Sequence, residues 1–223
     1  ALADFARASL VGEIAAPDVY YAALMAGPTF FTDRRTIASA QGAKPGEVPW
    51  MQAITEETDM TLAVAMARGT YASGIKVYAN LPASLIGRIA AEAHRQGIPV
   101  WAHAAVFPAR PAEVVAAGVD VISHVCLLPV QLDATPPQTY AELRDVDLPQ
   151  LGDGDHPEMT TLFREMRERG TILDATVTIF ALADKRAAEQ AAQGGKRPAR
   201  PLAGCSGELA VKLTRQAYRE NVQ

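Results

Sequence analysis

Short apolar runs alternate along this chain with longer stretches whose apolar residues recur every three to four positions. The runs at 19–25, 74–78, 99–103, 119–123 and 171–177 are rich in Val, Ile, Tyr and Ala and predict buried strands. The stretches at 50–68, 82–96, 108–117, 158–169 and 207–222 carry the 3.6-residue period of amphipathic helices. Pro82 and Pro108 suit first helical turns, and Gly97, Gly118 and Gly170 follow helix ends. Three successive phrases, AEAHRQGIPVWAHAA, AEVVAAGVDVISHV and REMRERGTILDATV, share one plan of helix, glycine and apolar strand. Such repetition predicts βα units feeding a parallel sheet through right-handed crossovers. A doubly wound sheet and a (β/α)8 barrel both satisfy it.

Three segments break the rhythm. Residues 27–49, 127–157 and 192–206 are rich in Pro, Gly, Thr and Asp, and the first two follow strands directly. In α/β proteins, loops at strand C-termini commonly build the site. Nothing in the pattern requires a second domain.

Composition narrows the class. Of 223 residues 49% are hydrophobic and the net charge is only −4, which excludes a disordered chain. Charged or Gly/Pro residues interrupt every apolar run before about 18 residues, so no bilayer span is expected. No basic region followed by an apolar core opens the chain, and the compartment stays open between cytoplasm and periplasm. Residues 1–163 carry 10 basic and 18 acidic side chains, residues 164–223 carry 11 and 7. The basic Lys196, Arg197 and Arg200 have acidic neighbours and no aromatic companions, so a nucleic-acid partner is not expected. Cys126 and Cys205 form no C-x-x-C; they permit one bridge but no disulfide framework or cysteine zinc site.

The candidate chemistry lies at strand ends. G-x-G-x-x-G, Walker A and G-x-S-x-G motifs are missing from the sequence. Lys76 ends GIK, His103 ends PVWAH and His124 ends DVISH, spaced by 27 and then 21 residues, about one βα unit each. Singly, each has an ordinary structural reading as a strand-end lysine reaching water or a hydrogen-bonded pocket histidine. On neighbouring parallel strands the three emerge at one sheet edge, within reach of a common metal. A buried lysine would also offer a neutral, nucleophilic amine. His94 reads as a solvated helix residue, His156 as a helix cap, and Asp153 with Asp155 as a loop too sparse for a calcium motif. Tyr78, Asn80, Thr176 and Thr178, just past strands, are candidates to orient a substrate; Arg110 reads as a surface residue.

With these residues in this order, the chain resembles the amidohydrolase superfamily of metal-dependent hydrolases, specifically its imidazolonepropionase-like and Xaa-Pro dipeptidase branch. The matching text runs from FARASLVGEIAAPDVYYAALMAG through SGIKVYANLP to AYRENVQ. The resemblance implies a distorted (β/α)8 barrel, of which this chain covers strand 3 to helix 7 as about five parallel strands. It implies one or two divalent metals, zinc being the family's usual ion, held by a carboxylated Lys76 that is both catalytic and ligating, with His103 and His124. A metal-bound hydroxide would then cleave the C–N bond of a small amide, cyclic amide or dipeptide. The family's His-x-His and strand-8 aspartate are expected outside these residues, since a complete barrel takes roughly 250 residues, and the isolated stretch is expected to be inactive. Two rival readings are a non-catalytic α/β module with structural Lys and His, and a Schiff-base lyase using Lys76. Homo-oligomerisation is left open.

Overall fold

The computed structural model describes residues 2–145, 147–151, 155–193, 205–220 and 222–223. After helix α1 (Leu2–Leu10), strand β1 (Ala22–Ala26) leads into a 3-10 turn (Pro28–Thr32), helix α2 (Arg34–Ser39), and strands β2 (Glu47–Val48) and β3 (Met51–Ala53). Then α3 (Met60–Gly69), β4 (Gly74–Val77), α4 (Ala83–Arg95), β5 (Val100–His103), α5 (Pro111–Ala116) and β6 (Val121–Ser123) alternate. Two 3-10 turns (Val125–Leu132 and Tyr140–Asp145) and α6 (Leu148–Leu151) precede α7 (Pro157–Arg169), β7 (Ile172–Asp174), α8 (Val177–Ala192) and α9 (Gly207–Arg219). The sheet has seven strands in the order β2-β3-β1-β4-β5-β6-β7, parallel except for the β2–β3 pair.

Alternation along these strands gives the sheet two unlike faces. Ile75, Val77, Val100, Ala102 and Ile122 are fully buried beneath the helices. On α4, Leu85, Ile86, Ile89, Ala90 and Ala93 form the matching buried stripe. The other face carries Leu24, Lys76, Trp101, Val121 and Ile172 in one register row. One row nearer the C-terminal edge come His103, Ser123 and Asp174. The row from Leu24 to Ile172 is less covered, Ile172 being 44% exposed, whereas His103 and Ser123 are buried.

The five expected strands and the αβ junctions are present, with Gly97, Gly118 and Gly170 in the left-handed region after α4, α5 and α7. The expected helix at 50–68 is shorter. Its first part is β3, and α3 begins only after Asp59, whose carboxylate accepts from Leu62 N at 3.1 Å. That N-cap outweighs the apolar periodicity before it. The expected strand at 171–177 stops at Asp174, because Thr176 takes φ +52° and α8 starts one residue later. Pro108 lies before α5, which opens on Pro111, and Pro82 is the N-cap of α4 rather than its first turn. The irregular segments at 27–49 and 127–157 contain α2, β2, α6 and the 3-10 turns, and α8 is a helix the periodicity leaves unassigned. Asp153, Lys196, Arg197 and Arg200 lie outside the described residues.

Cys126 and Cys205 are joined as a disulfide with Cα atoms 6.0 Å apart, tying the turn after β6 to the start of α9. Among the described residues no helix is long and apolar enough to cross a membrane.

Candidate functional site

Lys76, His103 and His124 converge at the C-terminal edge of the sheet, each placed by a different backbone feature. Lys76 sits in β4, in register with Trp101. Its Nζ donates to Ser123 Oγ at 2.8 Å and to the Ala102 carbonyl at 3.2 Å. Burial lowers its pKa to about 8, the charge of Asp174 opposing that shift in part.

His103, the last residue of β5, is 1% exposed. Neither of its ring nitrogens has a hydrogen-bond partner. Its ring packs 4.0 Å from Tyr78, 4.8 Å from His124 and 6.0 Å from Tyr140, centroid to centroid. Burial, then the positive charge of Lys76, hold its pKa well below the usual histidine value.

His124 follows β6. In a continuing strand it would point away from Ser123, toward the helices. Instead it takes φ +73°, and this turn brings its ring against His103. Its backbone N–H donates to the Asp174 carbonyl at 3.0 Å, and Nδ1 lies 2.9 Å from Thr176 Oγ1. Burial first, and Lys76 second, lower its pKa to about 4. Both imidazoles are thus neutral at pH 7, the form that ligates a metal.

Asn80, Phe107, His124 and Thr176 all take positive φ just beyond β4, β5, β6 and β7 respectively. Such conformations cost on the order of 1–3 kcal/mol each and cluster where a site over-determines the backbone. The rim of this sheet is such a place.

Most of the remaining expected site residues are already engaged. The Asn80 side chain donates to Thr29 Oγ1 at 2.9 Å and accepts from Tyr140 N at 2.8 Å, so it ties two rim loops together rather than presenting a free amide. The Thr176 hydroxyl is directed at His124. Thr178 is exposed in the first turn of α8. Tyr78 accepts from Arg35 Nη1 at 3.2 Å, and burial pushes its pKa up to about 12, so its hydroxyl keeps its proton. Arg110 is the N-cap of α5, its N–H donating to the Glu113 carboxylate at 2.8 Å. His156 caps α7 by accepting from Glu158 N at 3.2 Å. His94 does more than face water: its Nε2 lies 2.9 Å from Asp120 Oδ2, which also accepts from Val100 N at 2.7 Å.

Four residues of the site lie outside the sequence-based expectations. Ser123 and Asp174 share the register row of His103, a relation that becomes legible once period-2 alternation is aligned across the three strand ends. Arg35, held by Asp33 at 2.8 Å and lying 5.8 Å from the Tyr78 ring, comes from the short helix α2 and Tyr140 from a 3-10 turn, and neither segment carries a periodic signal. Beside Tyr78, a pocket of about 320 Å³ is walled by Leu24, Phe30, Trp50 and Met51 and rimmed by Arg35.

Among the described residues no group of three or more His, Cys, Asp or Glu side chains is placed to hold a metal. The donor set here is instead two neutral imidazoles beside a lysine. One unpartnered nitrogen of a fully buried His103 fits a metal ion, because a polar atom without a partner in that setting is otherwise unfavourable by about 1–3 kcal/mol.

No family model matches the chain, and no curated protein sequence matches it. Solved structures do. A Xaa-Pro dipeptidase with bound methionine in its active site superposes with a TM-score of 0.62 at 19% identity, covering 100% of this chain and 50% of that one. Ochratoxinase from A. niger gives 0.61 at 18% identity, covering 99% and 48%. A prolidase complexed with N-methylphosphonate-L-proline gives 0.61 at 16%, covering 99% and 50%. The chain therefore shares the fold of about half of each of these structures.

Proposed function

We propose that this half-barrel fold carries the metal-binding edge of a hydrolase that cleaves the C–N bond of a small amide, cyclic amide or dipeptide. The observation behind this reading is His103: fully buried, both nitrogens unpartnered, its ring against His124 and its pKa lowered in part by Lys76. His103 and His124 would hold a divalent ion, with zinc the natural choice for imidazole donors, and Lys76 would join them once carboxylated. A bound zinc supplies an acidified water at neutral pH and polarises a carbonyl.

The chain's own residues prepare that chemistry. Depressed basicity keeps both imidazoles unprotonated across the physiological range. Thr176 fixes the ring of His124 through Nδ1 and leaves Nε2 for ligation. The Tyr78 hydroxyl, protonated to about pH 12, can donate to a substrate oxygen while Arg35 donates to it. The whole protein's activity belongs to this proposal too, since the chain spans about half the length of the structures it matches.

Zinc content tests the reading. The protein should bind zinc after dialysis against a metal buffer, and His103→Ala should lose it while keeping its circular dichroism spectrum; unchanged zinc in the variant overturns the assignment. A Schiff-base reading is favoured by one observation, the lowered pKa of Lys76. Borohydride trapping of a carbonyl compound on Lys76, in protein that binds no zinc, would select it instead.

A further inference from the structure

Ser123 is the one side chain that hydrogen-bonds to the Lys76 amine among the interactions described. It is 5% exposed and shares its register row with His103 and Asp174. The second acceptor for Nζ is the Ala102 carbonyl. A neutral amine has two N–H bonds and one lone pair. With one hydrogen on Ser123 and the other on Ala102, the lone pair takes the remaining tetrahedral direction. We propose that Ser123 is a positioning residue for carbon dioxide capture by Lys76, aiming the amine and then holding the carbamate it becomes.

The inference rests on the metal-hydrolase reading. The step forms one N–C bond: the Nζ lone pair attacks the carbon of CO2, one C=O electron pair moves to oxygen, and one Nζ proton leaves to water. The product, R–NH–CO2−, retains a single N–H. One of the two acceptors must then change its role. The Ala102 carbonyl can only accept, whereas a hydroxyl can reverse and donate to a carbamate oxygen. Ser123 can therefore bond both the amine and its product, which an alanine or a second carbonyl at that position cannot do.

Titration of the protein with 13C-bicarbonate, read as a carbamate carbon resonance in NMR, tests the inference without using activity. Lys76→Gln should remove the resonance and so assign it. Ser123→Ala should need about tenfold more bicarbonate to reach half occupancy, the margin by which a hydrogen bond to the charged carbamate exceeds one to the neutral amine. Ser123→Thr, which restores the hydroxyl, should return the midpoint to that of the unsubstituted protein. Ser123→Cys, close to serine in volume, should follow Ala and gives a second measurement if Ala does not fold. Equal midpoints for Ser123→Ala, or for Ser123→Cys, and the unsubstituted protein would overturn the role. Absence of any resonance in a protein that still binds zinc through His103 and His124 would overturn it too, leaving the hydrolase reading standing. Absence of zinc binding would strike the hydrolase reading itself.

Discussion

Thr176 and His124 hold one another across adjacent strand ends, Oγ1 to Nδ1 at 2.9 Å, and both do so from the left-handed region, at φ +52° and +73°. A β-branched residue rarely adopts that conformation. Its hydroxyl gains a ring nitrogen in return, and the ring gains a fixed orientation. Thr176→Val should therefore weaken zinc binding about tenfold, as loss of an outer-shell partner does. Thr176→Ser should keep it. Competition against a chelating dye measures both.

The two buried histidines make metal-free stability depend on pH. Folded His124 has its pKa lowered to about 4, whereas an unfolded histidine titrates near 6.5. Between those values the unfolded chain binds the extra proton, so stability rises with pH there and falls as pH drops from 6.5 toward 4. His103 acts in the same direction. Urea unfolding in the presence of chelator should show stability at pH 5 lower than at pH 7 by on the order of 2 kcal/mol. His124→Gln should reduce that dependence to the part His103 contributes.

Gly27 allows two rim loops to touch. A Cβ built there would lie 1.8 Å from the Asn80 carbonyl oxygen, and Gly27 N donates to Ala79 O at 2.8 Å, so neither backbone has room to retreat. Gly27→Ala should destabilise the protein by more than about 2 kcal/mol. Gly87→Ala, within α4 and with its nearest neighbour at 3.9 Å, should stabilise it by about 0.5–1 kcal/mol. Thermal melts of the two variants check the contrast.

The Cys126–Cys205 bridge closes a loop across 79 residues of sequence separation and is buried at both ends. Its removal by Cys126→Ala with Cys205→Ala should lower stability by up to about 4 kcal/mol, the chain-entropy value for a loop of that size. Denaturant midpoints and the intact mass before and after alkylation check the loss.

The sequence by itself determined the βα rhythm, the glycine-terminated helices and the placement of Lys76, His103 and His124 at strand ends. Those are local facts: a period of 3.6 or 2, a capping residue or a helix-ending glycine acts over a few positions. Only the tertiary structure decided which neighbours complete the site. Ser123 and Asp174 join it through register between strands, and Arg35 and Tyr140 through a short helix and a 3-10 turn with no repeating pattern to read. His124 reaches the site through a positive φ that opposes the alternation of its own strand. Pairing energies between distant segments set all of these, and one residue's hydrophobicity does not record with which strand it will align.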